Sequence, residues 1–596
     1  MDAICKEQVV AIRTMYSVCR SFDILLQRTM GPNGKSSLLS TPTGQVLISN
    51  VGCSVLRCIN VGHPLGTMII NSIATHHCYT GDGSKTFVLY LASILGSIVN
   101  SAEDSLSTHN SEERISLLYA VHYIRSHVLN NVLWPVVSRN CQVTGVCENR
   151  NVMTVMHNLI KSHLCGKYTE AIRSHLSCLL VDFLCAGLTD FQSLSAEINT
   201  CIDNFSLLCI DVDCMTPLSS YIYEGIVIQR DFLNSCHSPA DSCCTRFILL
   251  HSSFTKDGGR SAISPVFKAK DIASIEGAFL WKHQCSTALV DWMQVNDVNL
   301  ILSTGCIDHM LHTLCSNAGI LMVQFVDKED FERLEMLFHI AAIQFISDLS
   351  EVKSDDFIGC SEVCEAKIFG QKRYVCLKLC DQNQKYTNMQ KSCSETSCDD
   401  QTARKCHRGC LKRQLIVCGM SAGACQQIRM DLLYALKTLR LWLDSKWPDD
   451  EASQCTAVHI AAGGSFELTC YNALRDFMKQ NRMQLGVHKT VCCEALCAAL
   501  LSVPLRLLHN SFQPKLATVL YVEERIKSLQ ASGATICGFD GRSGRQLEVE
   551  VDTTTVEPLM SKVLLLDHVL QLTMQLLRIT SLLHVKKPLQ KSVARS

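Results

Sequence analysis

The sequence has little charge and no marked excess of either sign. Charged residues make up 19% of the 596 positions, and the formal net charge is −1. Nucleic-acid-binding chains normally carry a basic surplus, so this balance argues against that class. It also gives no reason to expect binding to a membrane surface. By contrast, 47% of the residues are hydrophobic, which is enough for several domains with large cores.

The chain also lacks an apolar segment of the kind that directs export. Residues 1–7 contain no hydrophobic run, so we expect no signal peptide. The apolar run at 87–99 is too short and too mixed to span a bilayer, and we expect it to form a core helix. The 35 cysteines are scattered through apolar helical stretches. We therefore expect free thiols that pack as small hydrophobes in a reduced, cytoplasmic protein.

A P-loop is missing as well. That motif places a glycine five positions before its Gly-Lys pair, and the corresponding positions before Gly34 and Gly83 are Thr29 and Cys78. In the second case another residue also separates the glycine from the lysine. We therefore reject a P-loop kinase or GTPase.

Two glycine loops are present instead. Residues 31–35 read Gly-Pro-Asn-Gly-Lys, and residues 81–86 read Gly-Asp-Gly-Ser-Lys-Thr. Each follows an amphipathic helical stretch, and the second opens an apolar helix. Such a turn directs backbone N–H groups and the positive end of the helix dipole at one point, where a phosphate can bind. Asp82 could hold Mg²⁺ there, although a single loop of this kind is more often an ordinary helix cap.

The chain reads as helical, then mixed, then helical. The pattern predicts a helix over 8–30, a hairpin over 37–40 and 45–48, and a helix from His63-Pro64 to the Gly81 loop. Helical pattern continues to about residue 200. Strands follow at 207–212, 226–228, 247–250, 298–302 and 320–323, with helices near 275–295 and 328–343. From residue 415 helices return, and the last one places Val563, Leu566, Leu570, Thr573 and Leu577 on one face.

The order of these motifs resembles that of the group II chaperonins, ATP-driven folding proteins of the cytosol. That family carries Gly-Pro-x-Gly, a hairpin with Thr-Asn-Asp-Gly, a His-Pro and Gly-Asp-Gly-Thr-Thr. The corresponding residues here are 31–34, 49–52, 63–64 and 81–85. The resemblance continues at 415–419, 461–467, 538–540 and 556–559. Within the family, the stretches 42–47, 80–87, 224–232 and 583–591 look like the chaperonin-like Bardet–Biedl syndrome proteins.

The resemblance implies an α+β multidomain fold, that of a group II chaperonin subunit. We expect a helical equatorial domain from residues 1–140 and 440–596. An intermediate domain would use 141–204 and 371–439, with a polar insertion near 383–412. An α/β apical domain would occupy 205–370.

The resemblance also implies a site for ATP with Mg²⁺. Its residues would be Gly31, Pro32, Gly34, Gly52, Asp82, Gly83, Ser84, Lys85, Gly463 and Asp540. Asp82 would hold the metal. The two aspartates with which the family activates water are replaced by Val51 and Tyr434, so we expect hydrolysis to be weak or lost. Lys85 stands where the family has threonine, and it would either neutralise phosphate or displace the metal.

The function implied is that of a chaperone and assembly factor. Together with related chaperonin-like Bardet–Biedl proteins and the cytosolic chaperonin, it would assemble the subunits of the BBSome, a coat complex that carries membrane cargo to cilia. We expect a cytoplasmic protein associated with the cilium or basal body, without nucleic-acid binding or membrane insertion. The alternatives are a ring-forming chaperonin that hydrolyses ATP to fold proteins, and a scaffold that binds no nucleotide.

Two groups of cysteines are further candidate sites. A possible zinc set comprises Cys393, Cys398, Cys406, His407 and Cys410. Its spacing matches no zinc motif, and we favour a loop with free thiols. The basic run at 404–408 is expected to be solvated. Cys360 and Cys364 are expected on one face of a helix.

Overall fold

The computed structural model describes residues 5–40, 46–103, 111–145, 149–186, 193–234, 244–251, 272–338, 340–344, 356–379, 410–444, 456–532, 536–545, 547 and 555–585. The chain divides into two compact units. The first combines Met1–Val181 with Met430–Ser596, and the second is Asp182–Arg429. The finer division into equatorial, intermediate and apical domains stays a prediction.

Helices dominate the first unit and flank the sheet of the second. In chain order they are α1 (Ile12–Leu26), α2 (Gly52–Arg57), α3 (Pro64–Thr80), α4 (Ser84–Glu103), α5 (Ser111–Tyr123), a π-helix (Ile124–Leu133), α6 (Trp134–Arg139), α7 (Asn149–His163), α8 (Glu170–Cys185), α9 (Leu194–Asp203), α10 (Phe205–Leu208), α11 (Ile272–Val295), α12 (His309–Asn317), α13 (Lys328–Phe338), α14 (Ala422–Leu443), α15 (Ser465–Gln480), α16 (Val487–His509), α17 (Val519–Ser532) and α18 (Leu559–Arg578).

The strands form four sheets. They are β1 (Cys5–Val9), β2 (Ser37–Ser40), β3 (Val46–Ser49), β4 (Gln142–Gly145), β5 (Cys209–Val212), β6 (Tyr221–Ile228), β7 (Thr245–Leu250), β8 (Leu300–Ser303), β9 (Leu321–Val323), β10 (Ile358–Phe369), β11 (Lys372–Leu379), β12 (Arg413–Cys418), β13 (Thr456–Ala461), β14 (Val556–Pro558) and β15 (Ser581–Val585).

The core of the first unit is built around α4. This helix packs against α1 and α16, while α18 packs against α5. Its apolar run is buried, as expected, with Phe87 and Tyr90 at 1% and 0% exposure. The predicted apolar face of α18 is also buried, except for a partly buried Val563. Helix α16 is the one described helix long and apolar enough to cross a membrane, but more than half of its apolar window is buried, as in a core helix.

The two ends of the chain meet in the first unit. Strand β1 pairs antiparallel with β15, with Cys5 opposite Val585 and Val9 opposite Ser581. The predicted helix over 8–30 is therefore wrong at its start, because Gln8 and Val9 belong to this strand and α1 begins at Ile12. A partner almost six hundred residues away overrides the local helical pattern.

The hairpin and the His-Pro helix start are confirmed. Strands β2 and β3 pair with Ser37 opposite Ser49; their connection lies outside the described residues. The Nδ1 atom of His63 accepts a hydrogen bond from the N–H of Leu65 at 3.2 Å, and Pro64 occupies the first helical position, where no N–H is needed. The remaining small sheet is antiparallel, in the order β14-β13-β4.

The second unit contains an eight-stranded mixed sheet in the order β5-β12-β6-β11-β10-β7-β8-β9. The pairs β5–β12, β7–β8 and β8–β9 are parallel, and the others are antiparallel. Arg333 of α13, with 0% exposure, donates to the carbonyl oxygens of Leu207 and Arg413 at 3.2 and 3.0 Å. The guanidinium thus satisfies main-chain acceptors that regular structure leaves open.

Several predictions for the second unit need correction. The helix predicted over 328–343 ends at Phe338, and the strand predicted over 207–212 begins only at Cys209, after the short α10. The long hairpin β10–β11 was missed, and it crosses the predicted domain boundary at 370. Cys360 and Cys364 lie on β10, so their placement on a helix was wrong.

Candidate functional site

The first glycine loop is held against the end of α16. The side-chain amide of Asn510 donates to the carbonyl oxygens of Gln27 and Met30 at 2.9 and 3.0 Å. The chain then turns so tightly that a Cβ atom at Gly34 would lie 2.3 Å from the carbonyl oxygen of Thr29. Only glycine fits there. Gly34, which was predicted as a nucleotide-site residue, is therefore required here for the backbone conformation of the loop.

The second loop joins α3 to α4. Gly81 ends α3 in the left-handed conformation with φ 79°, and its N–H donates to the carbonyl oxygen of His77. A Cβ atom at this position would lie 2.4 Å from the carbonyl oxygen of Tyr434. The hydroxyl of Thr80 donates to the carbonyl oxygen of Asp82 at 2.8 Å. The loop therefore fixes the position at which α4 begins.

Both loops line one cavity of about 410 Å³. Nine of the ten predicted nucleotide-site residues border it, and the exception is Gly34. The nine are Gly31, Pro32, Gly52, Asp82, Gly83, Ser84, Lys85, Gly463 and Asp540. The volume lies in the range of small-molecule sites. Residues about five hundred positions apart in the sequence thus border the same cavity.

Asp82 presents an ionised carboxylate to this cavity. The residue is exposed to solvent, but the protein atoms around its carboxyl group partly desolvate that group. Desolvation acts to raise the pKa of the carboxyl, but interactions with His163, Lys167 and the N–H of Gly83 hold that pKa well below its usual range. An ionised, accessible carboxylate is a ligand that Mg²⁺ prefers.

Lys85 reaches from the second loop to the first. Its Nζ donates to the carbonyl oxygen of Thr29 at 2.7 Å. Its side chain packs closely against Gly52, where a Cβ atom would lie 2.8 Å from Lys85 Cγ. Burial lowers the pKa of Lys85 to about 8, while Asp82 acts in the opposite direction. The ammonium is therefore largely protonated at pH 7.

Lys167 is a second cation at the cavity, and it is neutralised. Its Nζ lies 2.9 Å from Asp431 and 3.1 Å from Nε2 of His163. Asp431 is buried and also accepts a hydrogen bond from the hydroxyl of Tyr168 at 2.7 Å. The charge of Lys167 is thus already shared with a fixed carboxylate.

Lys562, the third lysine at the cavity, bridges two glutamates. Its Nζ lies 3.1 Å from Glu467 and 2.6 Å from Glu557. The hydroxyl of Tyr90 donates to the same oxygen of Glu467 at 3.1 Å. Desolvation alone would lower the pKa of Lys562, but the two carboxylates together hold it above its usual range. This network fixes α18 to α15 behind the cavity.

Neither replacement of a family aspartate can act as a base. Val51 borders the cavity and is 4% exposed, but its side chain is a hydrocarbon. Tyr434 does not border the cavity; its ring packs on His77 with centroids 4.4 Å apart. Burial raises the pKa of Tyr434 to about 12, so the phenol stays protonated at neutral pH.

Asp540 has a local task. Its carboxylate accepts hydrogen bonds from the N–H groups of Arg542 and Ser543, both at 3.1 Å, and from the hydroxyl of Ser543 at 2.6 Å. These bonds close the turn that follows Phe539. Asp540 borders the cavity but is engaged mainly by its own loop.

The set of groups at the cavity fits a nucleotide with a divalent metal. The N-terminus of the twenty-residue helix α4 supplies N–H groups and its dipole. Asp82 offers carboxylate oxygens for the metal, Ser84 a hydroxyl, and Lys85 a positive charge. The close approach at Gly52 leaves no space for a side chain there, so the backbone borders the cavity directly.

The sequence did not single out several residues at the cavity. These are His77, His163, Lys167, Glu557 and Lys562. None belongs to a glycine motif, and their proximity depends on long-range packing. Of these five residues, Glu557 alone belongs to a stretch that carries the family resemblance, 556–559.

The preference for a loop with free thiols over a zinc site stays a prediction. Cys393, Cys398, Cys406 and His407 lie outside the described residues, as does the basic run at 404–408, and Cys410 begins a short 3₁₀ turn. Within the described ranges, no group of three or more potential ligand side chains is arranged to hold a metal.

Comparison with known families assigns the chain to a protein family. The sequence model of the TCP-1/cpn60 chaperonin family matches residues 23–587. The chain therefore belongs to the TCP-1/cpn60 chaperonins, and its mixture of helical and sheet units fits an α+β chaperonin fold.

The chain is also similar to individual members of the family. The chain is 22% identical over 387 residues to the BBSome complex assembly protein BBS10 of Pongo abelii, and 21% identical to that of Homo sapiens. Each alignment covers 62% of this chain and 52% of the relative, so the chain spans about half the length of these relatives. It is also 20% identical to the thermosome subunit alpha of Archaeoglobus fulgidus, over 94% of this chain and 89% of that protein.

Proposed function

We propose that this chaperonin-like protein binds ATP with Mg²⁺ in the cavity between its two glycine loops and uses the bound state to assist assembly of other proteins. The observation that carries the proposal is the convergence of nine predicted residues on one cavity. An ionised Asp82 and the N-terminus of α4 supply the two features that a metal-bound polyphosphate needs. When bound, the metal would neutralise phosphate charge.

Hydrolysis in this proposal is weak or lost. A positioned acid or base typically contributes about 10²–10⁴-fold to a rate. Val51 cannot accept a proton, and the pKa of Tyr434 is too high for a base at neutral pH. Binding suffers less because backbone N–H groups and lysines, rather than these two side chains, would contact phosphate.

The assembled target in this proposal is the BBSome. Two relatives bear the printed name BBSome complex assembly protein, and stretches of this chain resemble chaperonin-like Bardet–Biedl proteins. We propose that it acts in the cytoplasm, near the cilium or basal body, with those proteins, the cytosolic chaperonin and BBSome subunits. The equatorial, intermediate and apical layout is part of this proposal.

A second candidate is a ring-forming folding chaperonin that hydrolyses ATP. The match to an archaeal thermosome subunit over 94% of the chain supports it. That candidate requires another group to activate water, supplied by this chain or by a neighbouring subunit.

The test measures binding and turnover on the same purified protein. A fluorescent ATP analogue is titrated with Mg²⁺, and phosphate release is followed separately. Asp82→Ala is the test variant, and Asp476→Ala, at an exposed position on α15, is its matched control. Binding that depends on Asp82 without turnover supports the proposal. Turnover abolished by Asp82→Ala favours the folding chaperonin, and absence of binding would leave a nucleotide-free scaffold.

A further inference from the structure

We infer that Lys85 is a built-in counter-ion for the phosphates, which lets nucleotide bind even without a divalent metal. This inference rests on the proposed nucleotide site and assigns a role to a residue that departs from the family pattern. It assigns Lys85 to neutralising phosphate and not to displacing the metal, the two roles that the sequence left open.

The position of the ammonium is the first argument. The backbone of Lys85 belongs to the first turn of α4, but its Nζ lies 2.7 Å from the carbonyl oxygen of Thr29, two residues before Gly31. The positive charge therefore lies between the two glycine loops and beside the cavity that both loops line. A phosphate held by both loops would meet it.

The second argument is that, among the described residues, Lys85 has no ion-pair partner. Three lysines border the cavity. Lys167 pairs with Asp431, and Lys562 pairs with Glu467 and Glu557. Within the part of the chain that the structure describes, no carboxylate forms an ion pair with Lys85, although Asp82 attracts its charge. An ammonium has three donors, and a charge removed from water without an ion-pair partner is costly, so an anion that enters the cavity gains more from Lys85 than from the two paired lysines.

The third argument concerns the metal. If Lys85 replaced the metal, its ammonium would be held on the carboxylate of Asp82. Instead a carbonyl oxygen of the first loop holds it, and Asp82 stays accessible to the cavity. The two groups can therefore act together, with Asp82 binding metal and Lys85 contacting phosphate oxygens as a point charge.

The experiment compares nucleotide affinity with Mg²⁺ and with excess EDTA. The full chain is titrated with fluorescent ATP analogue in both buffers, as wild type, Lys85→Met and Lys85→Arg. Lys35→Met is the matched control, because Lys35 is the last residue of the first loop but is exposed and does not border the cavity. Thermal denaturation of each variant checks that it is folded.

We expect wild type to lose less than about tenfold in affinity on removal of metal. Lys85→Met should lose about ten- to hundredfold more in EDTA, the usual range for a charge-assisted hydrogen bond, and part of the loss should return with Mg²⁺. Lys85→Arg should keep most of the affinity, and Lys35→Met all of it.

Two results would overturn the inference while leaving the proposed function intact. These are wild-type binding that needs Mg²⁺, or a folded Lys85→Met variant that binds in EDTA as wild type does. If wild type binds nucleotide in neither buffer, the proposed function fails and this inference fails with it. The outcomes are therefore distinguishable.

Discussion

Replacing Lys562 with methionine should destabilise the first unit strongly. The ammonium lies 3.1 Å from Glu467 and 2.6 Å from Glu557, and Glu467 has no solvent exposure. Methionine preserves much of the volume but removes the only cation that either carboxylate pairs with among the described residues. The buried carboxylate of Glu467 and the partly exposed carboxylate of Glu557 would then lie together without a cation.

The expected cost is about 3–5 kcal/mol, the usual range when one partner of a buried ion pair is removed. The unit contains roughly 350 residues, so an unfolding entropy of about 2.1 cal/mol/K per residue gives a loss of about 4–7 °C in its melting temperature. Calorimetry of the full chain would measure it. The matched control is Lys479→Met, which breaks an exposed pair with Asp476 and should cost less than about 1 kcal/mol.

The pH dependence provides a second readout of the same substitution. Burial raises the pKa of Glu557, and Lys562 opposes that rise. Without the lysine the folded-state pKa rises further, so the folded protein binds protons more readily than the unfolded chain, and stability increases as pH falls. The gap between variant and wild type should therefore shrink between pH 7.5 and 5.5. Equal melting temperatures at pH 7.5, or a gap that widens on acidification, would refute this reasoning.

Two further predictions concern the cavity. Val51→Asp restores a family carboxylate at a residue that borders the cavity, so single-turnover phosphate release should rise by about 10²–10⁴-fold; unchanged release by a variant that still binds nucleotide would contradict this. Metal-free affinity for nucleotide should fall by up to about tenfold per pH unit above pH 8. Burial lowers the pKa of Lys85 to about 8, Asp82 opposes this shift, Lys167 reinforces it, and bound phosphate would raise the pKa. Titration calorimetry at pH 7 and 9 measures this, and a flat profile in wild type would count against a role for Lys85.

The sequence was informative where structure is determined by neighbouring residues. Gly81 ends α3 because a left-handed residue is needed there, and His63 with Pro64 starts the same helix by capping it. The face of α18 followed from helical periodicity. The loops themselves could therefore be located, and the resemblance then brought distant motifs to the same site.

The sequence was uninformative where partners are distant. Nothing near Cys5 indicates that it pairs with Val585, and the pairing replaced the start of a predicted helix. The carboxylate of Asp431 and the ammonium of Lys167 belong to no motif, and their ion pair depends on the packing of α14. The ion pair between Lys167 and Asp431 thus depends on tertiary structure and could not be predicted from the sequence, whereas local motifs were enough to locate the glycine loops.

The pairing of β1 with β15 has a consequence for the order in which the protein is made. The second unit is a continuous segment, Asp182–Arg429, whereas the first unit needs both ends of the chain. During synthesis the sheet of the second unit can fold before α16, α18 and β15 have been made. Strand β1 pairs with β15, and α4 packs against α16 and α18, so both lack these partners until then. The larger hydrophobic core therefore stays incomplete until β15 has been made. A stop codon shortly before Ser581 should consequently destabilise the first unit, because it leaves β1 without its partner strand.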